Sequence, residues 1–215
     1  CAKAYAAGKF RIGEELMPVV IAQKRGTPIV IEKDESPRET TIEALAKLKP
    51  IYGSPTVTAG NAPPISAGAS AILCMTRGEA ERRGIQTLAT VVCAVASAAA
   101  PREIAQIPAY TIRKALKRAG MTIDEMDLIE INEAFAAMPL VSTKILADGD
   151  GGKWKTLQEK TNVNGGAIAI GHPVGASAGR IAMTLAYELR RRGGGCGIAA
   201  ICGGLAQGEA VILRV

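Results

Sequence analysis

At 215 residues the chain has room for one large domain, or for one domain and a smaller piece, and with 48% hydrophobic and 21% charged residues it is globular rather than disordered. Aromatic residues make up only 3%, too few for a surface that binds single-stranded nucleic acid by stacking bases on exposed rings. The net charge of +6 comes without a dense basic run, since Gln23-Lys24-Arg25-Gly26 is short and Arg190-Arg191-Arg192 falls where a helix is expected to end, so its cations offset the helix dipole.

The five cysteines, Cys1, Cys74, Cys93, Cys196 and Cys202, are odd in number and form no CxxC pair, which speaks against a disulfide framework. One histidine and no close cysteine pair leave no structural zinc site. A reducing, cytoplasmic compartment is the expectation. No apolar run reaches the roughly 18–20 residues of a membrane-spanning helix. The chain shows no signal peptide and no initiator Met, and CAKAYAAGKF reads as the second half of a helix already under way. Preceding sequence, or a partner chain, is therefore expected.

Residues 1–55 are mixed and charged and read as an appendage. Cys1 to Lys9 is a helix remnant. Glu15 to Ile21 and Pro28 to Glu32 are short extended runs around a turn at Lys24 to Thr27. Thr41 to Lys49 is a short amphipathic helix stopped by Pro50. A boundary near Gly53-Ser54-Pro55 fits the turn chemistry there.

From residue 56 to 215, strands and helices are expected in turn. Thr56 to Ala59 reads as a short strand, Asn61 to Pro64 as a rigid loop, and Ser66 to Ala69 as a helical turn. Ala71 to Thr76 (AILCMT) reads as an apolar strand, with Cys74 in the core. Arg77 to Arg83 is a helix, Leu88 to Ser97 a long apolar strand with Cys93 buried, and Pro108 to Ala119 a helix that Gly120 stops. Leu128 to Ile131 is a strand, and Asn132-Glu133 opens a helix running to about Ala147. Asp148 to Lys153 reads as a glycine-rich surface loop.

Next comes Asn164 to Arg180, NGGAIAIGHPVGASAGR, with the only histidine, His172. Ala167 to Ile170 has the length and composition of a buried strand. Gly171-His172-Pro173 breaks it, and a helix runs on to about Arg192. Gly197 to Ile201 and Glu209 to Val215 are closing strands, near enough to pair as a hairpin. The alternation indicates a layered α/β domain with a mixed sheet.

Three reactive polar residues each follow an apolar run: Asn132 after LIEI, His172 after AIAIG and Cys202 after GIAAI. If those runs are parallel strands, the three side chains meet at one edge of the sheet. Each has a plainer reading alone. Asn132 suits a helix N-cap, His172 a satisfied polar group at a helix start, and Cys202 a small buried apolar residue. Their recurrence in one setting, with Gly203 and Gly204 leaving room beside the thiol, favours chemistry. A cysteine with a histidine suits thiolate or acid–base work at carbon, and a glycine-rich turn offers N–H donors to an oxyanion.

These residues resemble a known family. Asn132 to Ala136 (NEAFA), the GHPxGAS core within Asn164 to Arg180, and Cys202-Gly203-Gly204 with Gln207-Gly208 are similar to three C-terminal motifs of thiolases. Thr58-Ala59-Gly60-Asn61 (TAGN) is similar to a further segment upstream. The resemblance implies a thiolase-like α/β/α fold and a Claisen condensation, or its reverse, between coenzyme A thioesters as substrates, with no cofactor and no metal. It implies that His172 activates a nucleophilic Cys and helps to form an oxyanion hole, and that Asn132 holds a water of that hole. Cys202 would move the α-proton of acetyl-CoA, and the Gly204 N–H would belong to a second hole. Residues 1–55 resemble the later part of the loop domain that covers CoA. Arg38 would lie near the nucleotide end, Tyr52 and Phe135 near the pantetheine, and Ala59 would be a further residue binding substrate or CoA.

The sequence departs from the family pattern in two ways. Pro63 stands where many thiolases have a Ser that bonds pantetheine. None of the five cysteines sits in the setting of the family's nucleophile, a glycine-rich turn before a helix in the N-terminal half. The resemblance therefore implies the second half of a thiolase, acting on a 3-oxoacyl-CoA such as acetoacetyl-CoA only with a first half, on a separate chain or a missing segment. Complete units are expected to form dimers or tetramers. The alternative is a non-catalytic, thiolase-like scaffold subunit. A ketoacyl synthase relative is disfavoured, because those enzymes set two histidines beside the nucleophile and this chain has one.

Overall fold

A computed structural model describes all of residues 1–215. The first stretch carries α1 (Ala2–Ala6), β1 (Val19–Ile21), β2 (Ile29–Ile31) and α2 (Ile42–Ala46). The two strands pair antiparallel, with Val20 opposite Val30. Thr41 caps α2, its hydroxyl accepting from the Ala44 N–H at 3.2 Å. Little of this stretch is buried; Ala4 is its one buried residue before Pro50.

The layered part follows: α3 (Arg77–Arg82), β3 (Thr90–Ala98), α4 (Ile107–Ala119), β4 (Leu128–Ile131), α5 (Ala137–Leu146), α6 (Gly151–Glu159), α7 (Ala167–Ile170), α8 (Ser177–Arg191), β5 (Cys196–Gly203) and β6 (Gln207–Arg214). The sheet order is β3-β6-β5-β4. β5 and β6 form the expected antiparallel hairpin, while β4 runs parallel to β5, so the sheet is mixed.

Strand alternation decides which helix covers which face. Ile129 and Ile131 of β4 join Ile198, Ile212, Ile112 and Leu116 in a core under α4. Leu128 instead joins Ile181, Leu185 and Leu189 of α8, with Leu213. Helix, sheet and helix thus form an α/β/α sandwich. Each fully buried Leu or Ile there stabilises by about 1.5–3 kcal/mol. Gly120, with φ of 67°, ends α4 in the left-handed conformation that a side chain resists. No helix is long and apolar enough to cross a membrane.

The edge of β4 is covered in an unusual way. Thr161 makes a single parallel bridge to Ile129. The Asn162 side chain then copies a strand: its Oδ1 accepts from the Ile131 N–H and its Nδ2 donates to the Ile131 carbonyl, each at 2.8 Å.

Several expectations need correction. Ala167–Ile170 is a helical turn, α7, not a strand. A four-residue apolar run is ambiguous between the two, and no neighbouring strand offers it a ladder. Ala71 to Thr76 is not a strand either, and Cys74 is exposed rather than core. Residues 62–75 make no backbone–backbone hydrogen bond, so the run has no strand to pair with. Thr56 to Ala59 is reduced to one bridge, Pro50 to Thr58, and Ser66 to Ala69 is not helical. The helix after Asn132 begins only at Ala137, which leaves Asn132 in a loop and not at an N-cap. The glycine-rich loop is shorter than expected, because α6 starts at Gly151, capped by Asp150, whose carboxylate accepts from the Lys153 N–H at 2.9 Å. Cys93 is buried, as expected.

Candidate active site

The parallel pairing of β4 and β5 brings two of the three reactive residues to one sheet edge. The Asn132 N–H donates to the Ala200 carbonyl at 2.9 Å, one rung past the Ile131–Ala200 pair. Cys202 lies two residues beyond Ala200, half-buried, near the end of β5. His172 arrives from a different element than expected, two residues after α7, yet it reaches the same place. The Asn132 amide nitrogen is 3.2 Å from His172 Nε2.

The hydrogen-bond pattern assigns the ring protons. The Ser177 hydroxyl donates to the Pro173 carbonyl at 3.0 Å, one turn back along the start of α8. Having one proton, it must accept from His172 Nδ1, which lies 2.6 Å away. Nδ1 therefore carries the proton, and Nε2 is left with its lone pair, which accepts from the Asn132 amide. Burial, helped by the charge of Arg180, holds the imidazole below the ordinary histidine value. The ring is thus a neutral base with Nε2 facing the site. Asn132 is fully buried, and its Oδ1 has no hydrogen-bond partner within the chain.

Cys202 is held as a thiol, since burial pushes it above the usual cysteine range. Gly204 follows at the exposed start of a tight turn, with open space where a side chain would stand. The next two residues, Leu205 and Ala206, have φ of 57° and 56°. Two consecutive non-glycine residues in the left-handed region are strained, and such strain collects where a loop has work to do.

Beneath the site a buried carboxyl faces a guanidinium. Glu130, two residues before Asn132, is 3% exposed, and its Oε2 is 3.7 Å from Arg180 Nη1. Burial outweighs the attraction of Arg180 and pushes the carboxyl up to about 8, with Glu133 and Glu188 adding to the rise. Glu130 is therefore mostly protonated at neutral pH.

Residues 66–70 cross the His172 turn. The Ser70 hydroxyl donates to the Ala176 carbonyl at 2.8 Å. Gly171, with φ of 102°, packs directly against Ser66, where a Cβ would collide. The TAGN loop is built by Asn61, whose Oδ1 accepts from the Thr58 N–H at 2.8 Å and whose Nδ2 donates to the Thr56 carbonyl at 2.9 Å. Its backbone carbonyl accepts from the Ala136 N–H at 2.9 Å, so Ala59 and the half-exposed Phe135 stand on joined loops. Tyr52 is on the same hairpin as Ala59, 74% exposed. Arg38 is exposed and makes no hydrogen bond or ion pair, while Ser36, two residues before it, stands near Gly171.

Sequence reasoning missed three residues around the pair. Ser177 was visible only as one small residue of a helix start, and its spacing of five from His172 was the available signal. Glu133, whose carboxylate accepts from the Ile168 N–H at 2.9 Å, and Asn162 gave no signal, because their partners are about thirty residues away.

Comparison with known proteins places the chain in a family. A family model described as the C-terminal domain of thiolase matches residues 85–215, and one described as the N-terminal domain matches residues 1–78. A probable acetyl-CoA acetyltransferase of Mycolicibacterium smegmatis is 46% identical over 215 residues, covering 99% of this chain and 53% of that protein. The crystal structure of the Bacillus anthracis acetyl-CoA acetyltransferase superposes with a TM-score of 0.87 at 37% identity, covering 99% of this chain and 52% of the other. Human mitochondrial 3-ketoacyl-CoA thiolase in complex with CoA gives 0.83 at 37% identity, covering 99% and 51%. The chain spans about half the length of the curated relatives it matches.

Proposed function

The chain belongs to the thiolase family, and on that footing we propose that it supplies the acid–base half of an acyltransferase that cleaves or forms 3-oxoacyl-CoA, with acetoacetyl-CoA the expected substrate. The observation that carries this reading is the contact of Asn132 with a His172 ring whose Nε2 lacks a proton, at the sheet edge where β5 presents Cys202. Residues 56–215 carry these groups, and residues 1–55 form part of the cover over CoA.

In the cleavage direction, the Asn132 amide gives up its bond to His172 Nε2, and that nitrogen takes the proton of a nucleophilic thiol. That thiol comes from the part of the relatives' length that these residues do not span. The thiolate attacks the 3-keto carbon. The imidazolium so formed has a proton on Nε2, which donates to an oxyanion, while Asn132 Oδ1 orients a water at the same oxygen. The bond between C2 and C3 then breaks, leaving an acyl-enzyme and the enolate of acetyl-CoA. The Cys202 thiol gives its proton to the enolate carbon. Its raised position suits it to be that acid, and in the condensation direction its thiolate takes the same proton back. The Gly204 N–H would hold the acyl oxygen when free CoA attacks. Arg38, Tyr52, Ala59 and Phe135 would line the path of CoA.

Five free thiols fit a reducing, cytoplasmic setting. The exposed apolar residues Val19, Val20, Ile29 and Val30 fit association of complete units into dimers or tetramers.

The test is to combine this chain with an N-terminal thiolase half and follow acetoacetyl-CoA cleavage by CoA. Activity should appear only in the combination and disappear with Cys202→Ala. No activity in any combination would instead support a scaffold subunit.

A further inference from the structure

We propose that Glu133 and Asn162 are positioning residues that set the separation between the Asn132 amide and the His172 ring. This role rests on the reading of those two groups as the reacting pair. His172 follows α7, a single turn of four residues, Ala167–Ile170. A helix that short has no stability of its own. Gly166 at its N-cap has no side chain to bond the first N–H groups.

Glu133 supplies the missing cap from another element. Its Oε2 accepts from the Ile168 N–H at 2.9 Å. Gly166 allows the approach, since a Cβ there would lie 2.6 Å from that same oxygen. So the carboxylate next to Asn132 is fastened to the turn that leads to His172.

The other end of the lever is fixed by Asn162. Its backbone sits at φ of 49°, a left-handed value that costs a non-glycine residue free energy. It is held there by the two 2.8 Å bonds of its amide to Ile131. Its Nδ2 also approaches Glu133 Oε1 at 3.5 Å. Three consecutive residues therefore have three tasks. Ile131 is clamped, Asn132 enters the site, and Glu133 grips the His172 turn. Loss of either grip would let the 3.2 Å contact open, and a misplacement of about 1 Å is enough to cost on the order of 100-fold in rate.

The single histidine makes a direct test possible. The full chain is labelled with nitrogen-15 histidine alone, so one pair of ring-nitrogen signals reports His172, and thermal unfolding is followed in parallel. Glu133→Ala should shift the Nε2 signal and move the titration midpoint of the ring up toward the ordinary histidine value. Glu133→Gln, which keeps an oxygen for the Ile168 N–H, should leave both close to wild type. Asn162→Gly tolerates the left-handed backbone and removes only the amide, and it should reproduce the Glu133→Ala shift. A lower melting temperature with unchanged ring signals in Glu133→Ala and Asn162→Gly overturns the proposal. If Glu133→Ala does not fold, Asn162→Gly decides on the same two outcomes. None of this needs substrate or a second half, so a thiolytic assay that fails would sink the proposed function and leave these results standing.

Discussion

The Ser177 hydroxyl lies 2.6 Å from His172 Nδ1 and gives its own proton to the Pro173 carbonyl, so the ring must be the donor. This one relationship decides which nitrogen is basic. Free imidazole prefers its proton on the other nitrogen. Nitrogen-15 spectra of the wild-type chain above the titration midpoint should therefore show a protonated Nδ1 and a bare Nε2. Ser177→Ala should return the ring toward the Nε2–H form and cost about 1–3 kcal/mol of stability, because a buried N–H loses its acceptor. Wild-type spectra with the proton on Nε2 would contradict the assignment.

Glu130 gives a prediction of opposite sign to the usual carboxylate. Burial raises its folded value to about 8, above that of the unfolded chain. Its contribution is fully present below the unfolded value near 4.5 and is lost as pH rises through about 8. Glu130→Gln cannot ionise in either state. It should be more stable than wild type at pH 7 and above, by on the order of 2 kcal/mol, with a flatter stability profile between about pH 4.5 and 8. Denaturant titrations across pH check this, and a Gln variant less stable than wild type at pH 9 would contradict it.

Glu188 behaves in the ordinary direction. Its burial alone would raise it, but donors from Asn164, Arg191, Arg192 and Lys9 outweigh burial and bring it to about 2. It ties the first stretch of the chain to α8, through Lys9 at 3.3 Å, and to the loop before α7, through Asn164 at 3.0 Å. The stability it contributes is complete above the unfolded value near 4.5 and is lost as pH falls through about 2. Glu188→Ala should cost about 3 kcal/mol, the low end for a broken buried pair because Lys9 and Arg192 remain partly in water. Acid unfolding of that variant should be less steep.

Gly171 should tolerate no side chain. At φ of 102° an alanine is strained, and its Cβ would also strike Ser66. Gly171→Ala should destabilise the chain by on the order of 1–3 kcal/mol and displace the ring signals of His172. A second change, Ser66→Gly, should recover only part of the loss, because it removes the collision and not the backbone strain. Full recovery in the double variant would show that sterics alone matter.

Much of this was legible in the residues because their periodicity is strong. LIEI, GIAAI and the final strand are apolar runs between breakers, and Pro108 and Gly120 mark both ends of α4. The reactive trio was visible for the same reason, since each member ends such a run. What failed was what needs a neighbour. AIAI and AILCMT are equally apolar, yet neither has a strand beside it, and an unpaired run does not become a strand. The helix α6 was hidden by Gly151-Gly152 at its start. The roles of Glu133 and Asn162 depend on contacts between residues about thirty apart, which no local pattern encodes.

The transfer of the acetyl-CoA α-proton proposed for Cys202 can be read by itself, through exchange with heavy water. The chain joined to an N-terminal thiolase half should incorporate solvent deuterium into the methyl group of acetyl-CoA, and Cys202→Ala should slow the incorporation by about 100-fold or more. Exchange at the wild-type rate without the Cys202 thiol would contradict the account.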